Sequence, residues 1–211
     1  MEESAPQTLR LDQLETLHAL WAEQGAPIAD RLRPGLPDEA IDGLTEPLAV
    51  RLPVEARTWW GWHDGTKADE DNGYTGELGP EFGFLTLAQA VREYRTMRAM
   101  FEDLWHGDTA ETYDDPDYWW RPSWFPITNR RGLVRCDTAV PLEAPCPIYW
   151  AYSHDHDAEG LSHPRTASFG EMVSWWIEAL QDGAWEYNRH ENRWIHRAER
   201  VEAGRLRSGL V

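Results

Sequence analysis

Cysteine, basic side chains and long apolar runs are all scarce in this chain, and each scarcity closes off a class of function. Only two cysteines, Cys136 and Cys146, occur in 211 residues. That is too few for a disulfide framework, and no second pair or local histidine completes a zinc site around them. Both are expected reduced and buried. Lys and Arg number 20 against 37 Asp and Glu, for a formal net charge of −17. Such a surface repels phosphate, which argues against nucleic acid and anionic membranes and favours basic partners. No apolar stretch is long enough to span a bilayer, and no charged segment followed by an apolar one marks an export signal. The expectation is a cytoplasmic protein. The sequence also lacks a G-x-S-x-G elbow, a Walker loop, a cysteine nucleophile in a local signature and an internal repeat. Carboxylates are plentiful, but an acidic chain guarantees that, so their pairing carries no glycosidase signal. No catalytic residue, no metal and no cofactor is expected.

What the chain does have is tryptophan, thirteen residues of it. Three fall in one stretch from Leu52 to Gly65, the centre of the pattern. Pro53 suits the first turn of a helix, where its missing N–H costs nothing. Ala56, Trp59, Trp60 and His63 recur at helical spacing, and Gly65 suits a left-handed stop. The expected helix therefore runs to Gly65. Three tryptophans on so short a helix cannot share one face, so at least one is expected near the surface.

Before this stretch, Leu11, Leu14, Leu17, His18 and Trp21 follow helical spacing up to Gly25 and Pro27. His18 there reads as a packed histidine rather than a ligand. Pro34-Gly35-Leu36-Pro37 is turn chemistry, and Pro37 with Asp38 and Glu39 opens a second helix with Ile41, Leu44 and Leu48 inward. Pro47 keeps that helix short. The acidic loop at residues 67–73 is spaced like a calcium loop, yet it lacks the bidentate Glu at the last position and reads as solvated. Gly73, Gly76, Gly79 and Gly83 suit turns, and Phe82 to Leu85 a short strand. Thr86 then caps the longest helix, whose Leu87, Ala90, Val91, Tyr94, Met97, Phe101, Leu104 and Trp105 make one apolar face.

A second acidic loop, with Asp114, Asp115 and Asp117, leads into Trp119 and Trp120. These two are either anchors for a partner or caps on the open end of a sheet. Trp124 to Ile127, Leu133 to Asp137 and Ile148 to Tyr152 are short strands joined by tight turns, which predicts an antiparallel meander. In the second, Leu133, Arg135 and Asp137 point one way, Val134 and Cys136 the other. Ser153-His154-Asp155-His156-Asp157 invites a metal, with His163 as a further ligand. No third histidine adjoins it and no helical His-Glu motif is near, so a polar strand-end loop is the reading adopted. Ser168 with Glu171 is a capping box that opens a helix from Phe169 to Gln181, closed by Gly183. The tail holds Trp185, Tyr187, Trp194 and Ile195 together with Arg193, Arg197, Arg200, Arg205 and Arg207, the one basic region. It either folds back on the acidic body or lies at its surface.

Pro34 to Ile41 leading to Trp62-His63-Asp64-Gly65 resembles the N-terminal signature of the SUKH superfamily. That group holds fungal cell-wall-assembly regulators and many bacterial toxin-immunity proteins. Phe82 to Leu87 with Ala90, Trp124 to Ile127 with Gly132 to Asp137, and Ser168-Phe169 resemble its later steps in the right order. Hydrophobic periodicity and the short strands bounded by Pro and Gly predict an α+β fold, with N-terminal helices packed on a mainly antiparallel sheet, a long central helix and a C-terminal helix, and the resemblance sets the domain at residues 34–183. Residues 1–33 are then a helical extension, and 184–211 a basic tail packed on or beside the domain. It implies a non-enzymatic module that neutralises a basic toxin domain by occlusion. The candidate contact residues are His63, Asp64, Asp114, Asp115, Asp117, Trp119, Trp120 and Asp155. Two alternatives stay open: an adaptor like the fungal relatives, and a small metal-dependent hydrolase built on His154, His156 and Asp155.

Overall fold

The computed structural model describes residues 7–67, 83–106, 121–129, 132–152 and 166–197. Helix α1 (Leu11–Gln24) leads through the single turn α2 (Ile28–Arg31) into strand β1 (Leu32–Pro34). Helix α3 (Asp38–Thr45) and a 3-10 turn (Glu46–Leu48) then precede α4 (Val54–Trp62) and β2 (His63–Thr66). Strand β3 (Gly83–Phe84) runs into the long α5 (Leu87–His106). After it come β4 (Trp124–Pro126), β5 (Thr128–Asn129), β6 (Gly132–Asp137) and β7 (Ile148–Tyr152), then α6 (Phe169–Gln181) and the hairpin β8 (Trp185–Asn188) and β9 (Arg193–His196). Every strand pairing described is antiparallel, so the chain is an α+β protein. Strands β4, β6 and β7 form the expected meander, with Phe125 opposite Cys136 and Cys136 opposite Ile148. None of the described helices is long and apolar enough to cross a membrane.

Helix starts follow local chemistry closely. Thr86 Oγ1 accepts from the Gln89 amide at 3.1 Å, while Gln89 Oε1 returns a bond to the Thr86 amide at 2.8 Å. That reciprocal pair is a capping box and fixes where α5 begins. Ser168 Oγ accepts from the Glu171 amide at 3.0 Å; the Glu171 carboxylate, however, takes the Ala167 amide rather than that of Ser168. Helix α6 spans the predicted residues, with Met172, Val173, Trp176 and Leu180 buried.

Helix α4 lies at the centre of the core. Consecutive residues on a helix point about 100° apart, so Trp59 and Trp60 serve two different neighbours. The Trp59 ring packs on Phe84 at 4.6 Å, Phe169 at 5.6 Å and Trp176 at 6.1 Å, joining β3 to α6. Trp60 meets Phe125 of β4 edge-on at 5.7 Å and donates its indole N–H to the Leu85 carbonyl at 3.2 Å. The expectation that one of the three tryptophans reaches the surface is wrong. Trp62, the most exposed, is only 8% accessible. Helix α1 covers it: Trp62 lies 6.3 Å from Trp21 and donates its indole N–H to Glu15 at 3.0 Å. Leu14, Leu17 and Trp21 supply the buried side of α1, whereas Leu11, placed in that stripe from its spacing, is 57% exposed. It sits in the first turn, beyond the edge of the surface that α1 covers.

Side-chain amides fasten α1 at both ends. Gln13 donates to the Gly170 carbonyl at 3.3 Å and to Ser174 Oγ at 2.9 Å, both on α6. Gln24 accepts from the Tyr187 amide at 2.7 Å and donates to the Trp185 carbonyl at 3.3 Å, so its amide pairs with β8 as a neighbouring peptide would. Arg189 donates to the Gln24 and Glu23 carbonyls at 2.7 Å each, filling acceptors left open at the end of α1.

A buried carboxylate joins the pieces. Glu55, 3% exposed, accepts the amides of Leu9 at 2.6 Å and Gly170 at 3.0 Å on Oε1, and that of Cys146 at 2.5 Å on Oε2. Cys136 and Cys146 are free and buried, and the Cys146 thiol is pushed up by its hydrogen bond to Cys136 and by burial. Glu55→Ala strands three buried backbone donors, each worth about 1–3 kcal/mol. We expect it to lower unfolding free energy by about 4 kcal/mol or more, and Glu55→Gln, which keeps Oε1, by about half as much. Urea titration followed by circular dichroism checks both; a loss under about 0.5 kcal/mol for Glu55→Gln would show that the third bond contributes nothing.

Candidate functional site

The candidate site is the rim where α1, β1 and β2 meet, and it begins with a helix that stops earlier than its sequence suggests. Spacing carries the helical pattern to Gly65, but His63 is extended, with φ −146° and ψ 138°, and α4 ends at Trp62. Residues 63–66 instead pair with β1, setting His63 opposite Pro34 and Thr66 opposite Leu32. The Pro34-Gly35 turn is thus also the end of a strand. A Cβ on Gly35 would overlap the Gly61 carbonyl, and the Leu36 amide donates to the Trp60 carbonyl at 2.9 Å. Such close backbone approach holds the turn against α4.

Gly65 is left-handed as expected, at φ 65°, though inside β2 rather than at a helix end. A Cβ there would lie 2.5 Å from the Thr86 nitrogen and 2.8 Å from the Leu85 carbonyl carbon. Asp64 is 8% exposed, and its Oδ1 accepts the Leu87 amide at 2.7 Å. Its Oδ2 lies 3.8 Å from Arg33 Nε. Asp64, Gly65 and the Trp60 indole together therefore seat the first turn of α5. A carboxylate on the first free amide of a helix also complements its dipole.

His63 turns the other way. Its Nδ1–H donates to the Arg33 carbonyl at 2.7 Å, and its ring lies 4.4 Å from that of Trp62 and 6.2 Å from that of His18. His18 in turn donates from Nε2 to the Ala29 carbonyl at 3.1 Å, the packed role read from the sequence. Burial lowers the pKa of His63 below its ordinary 6.5, and His18 adds to this. The bond to the Arg33 carbonyl and the charge of Glu15 oppose the shift. Both histidines are half-buried, with Glu15 and Arg33 exposed around them.

The other six candidate contact residues, Asp114, Asp115, Asp117, Trp119, Trp120 and Asp155, lie outside the described residues, as do His154, His156, His163 and residues 68–73 of the calcium-like loop. Among the described residues no group of three or more His, Cys, Asp or Glu side chains is arranged to hold a metal.

One polar cluster escaped the sequence reading. The Trp124 ring has the Arg135 guanidinium at 5.0 Å and that of Arg121 at 5.2 Å, and Arg121 also lies 5.8 Å from the Tyr149 ring. Burial draws the pKa of Arg135 down to about 9, which leaves it a cation at neutral pH. Trp124 and Tyr149 lie 5.1 Å apart, and Arg135 sits directly opposite Tyr149 in the ladder. The alternation along β6 had already put Arg135 on the face away from Cys136; missing was which aromatics its neighbours would bring to that face.

No protein-family model matches the chain, and no curated protein matches it.

Gly65→Ala should destabilise the fold by about 1–3 kcal/mol, since it combines a left-handed backbone with a clash against backbone atoms. Gly43, on α3 with open space around its Cα, is the control: Gly43→Ala should be neutral or stabilising by up to about 1 kcal/mol. Thermal melts of the two variants test this, and equal effects would remove the special role of Gly65.

Proposed function

We propose that this chain is a SUKH-type protein-binding module, an immunity protein that neutralises a basic toxin domain in the cytoplasm by covering it, with no catalysis of its own. One observation supports this above others: the separate SUKH-like pieces of sequence are contiguous in space. Gly35 packs on Gly61, Asp64 holds Leu87, Trp60 meets Phe125 and Trp59 meets Phe169. Residues that carry a resemblance and then build one joint are what a shared fold requires. The charge of −17 supports a basic partner, because complementary fields speed encounter.

The contact surface proposed is His63 with the Asp114, Asp115 and Asp117 loop, Trp119, Trp120 and Asp155; Asp64 belongs to it as the residue behind Arg33. Aromatic anchors supply most of the energy of such an interface and rim charges mainly its rate.

The test is co-expression with a basic toxin domain encoded beside this gene, followed by calorimetry and stopped-flow binding on the purified pair. The chain should restore growth and form a stoichiometric complex. Trp120→Ala should weaken binding by about 2 kcal/mol or more while the protein stays folded. Neutralising Asp114, Asp115 and Asp117 together should slow association and flatten its salt dependence, with little change in dissociation. Growth that is not restored, with no complex at micromolar concentration, would overturn the proposal.

A further inference from the structure

We propose that His18 and His63 form a clasp on residues 28–34 that acid opens. Helix α2 and strand β1 make one continuous run, and a histidine holds it at each end. His18, from α1, binds the Ala29 carbonyl at 3.1 Å; His63, from β2, binds the Arg33 carbonyl at 2.7 Å. A carbonyl only accepts, so each ring carries its proton on the bonded nitrogen and keeps a bare second nitrogen. The rings are 6.2 Å apart and edge-on at 68°. Protonating both sets two like charges at that distance in a half-buried rim.

Glu15 favours the charged His63 ring, yet burial together with His18 outweighs it in the closed form. Arg33, on β1, adds a third positive charge. Glu15, on α1, is exposed, and its Oε1 already accepts the Trp62 indole N–H at 3.0 Å. Asp64, beside His63, gives Oδ1 to the Leu87 amide and has Oδ2 3.8 Å from Arg33. Separation of the rings is the remaining relief. Helix α1 is fastened to α6 by Gln13 and to β8 by Gln24, and β2 is fastened to α5 by Asp64 and Gly65. Residues 28–34 lie between, held by the pairing of β1 with β2 and, just past β2, by the bond from the Lys67 amide to the Arg31 carbonyl at 2.8 Å. That run is the part that yields.

The sign follows from linkage. His63 binds its proton less readily in the closed form than in an opened one, because burial lowers its pKa. Opening therefore takes up protons: it is independent of pH well above about 6.5 and increasingly favoured as pH falls through the closed-state pKa. The inference needs no partner and stands apart from the proposed immunity function.

Hydrogen exchange read by mass spectrometry on the isolated full chain tests it. After correction for intrinsic rates, opening of residues 28–34 should rise about tenfold between about pH 7 and pH 5 for each unit by which the closed state depresses the His63 pKa. Peptides from α6 should not respond. The double variant His18→Gln with His63→Gln keeps an N–H for each carbonyl without a titrating charge, and should lose the response. Equal corrected exchange at both pH values, or an unchanged response in the double variant, overturns the clasp. If that variant does not fold, side-chain NMR of the unmodified protein decides: a depressed His63 midpoint supports it, and an ordinary His63 curve sinks it.

Discussion

A carboxylate with almost no solvent contact holds together parts of this chain that no helix or sheet connects. Glu55 reaches Leu9 before α1, Cys146 before β7 and Gly170 at the start of α6. Each is a backbone N–H with no carbonyl partner supplied by a ladder, and each would be costly to bury unpaired. Withdrawing a charge from water is also costly. Three converging donors, one in the first turn of a helix, offset that cost. The arrangement works because α4 is already fixed by Trp59 and Trp60, which point to α6 and to the sheet. Apolar packing sets the position of the helix, and Glu55 then uses that position to fix the ends of three loops.

The same helix controls the rim. Once α4 ends at Trp62, the next three residues have separate duties: His63 holds β1, Asp64 holds the start of α5, and Gly65 lets the two backbones touch. Such density gives each residue of the stretch a structural duty. Folding contacts crowd this stretch, and His63 stays half-buried beside the exposed Glu15 and Arg33.

How much of this was legible depends on whether a signal was local. The bounds of α6, the cap of α5 and the meander of β4, β6 and β7 follow from caps, turns and periodicity within a few residues, and the structure has them. The β1–β2 pair does not, because its partners are far apart in sequence and His63 fits a helix locally. Tertiary pairing overrode a pattern that looked complete. The burial of Trp62 was hidden for a similar reason: it depends on α1, which the resemblance leaves outside its core. Leu11 failed in reverse, since spacing gives the face but not how far the covering surface extends. Glu55 gave no signal at all, as an acidic residue in the first turn of a helix is ordinary and here joins three separate segments.

Charge is the property that packing leaves unexplained. Several of the arginines are engaged close to where they lie: Arg10 with Asp12, Arg57 with Asp38 and Asp42, Arg193 with Glu191, Arg197 with Glu186. Pairs so exposed contribute little to stability, typically under about 1 kcal/mol. They do neutralise local fields, and the surplus of seventeen negative charges is left as a long-range one. Self-repulsion of that size works against a compact state. A fold built around an aromatic core tolerates it, because apolar packing carries no charge on which the surface field can act. The acidity is thus free to act on what approaches the protein, and it is separable from what holds the protein together.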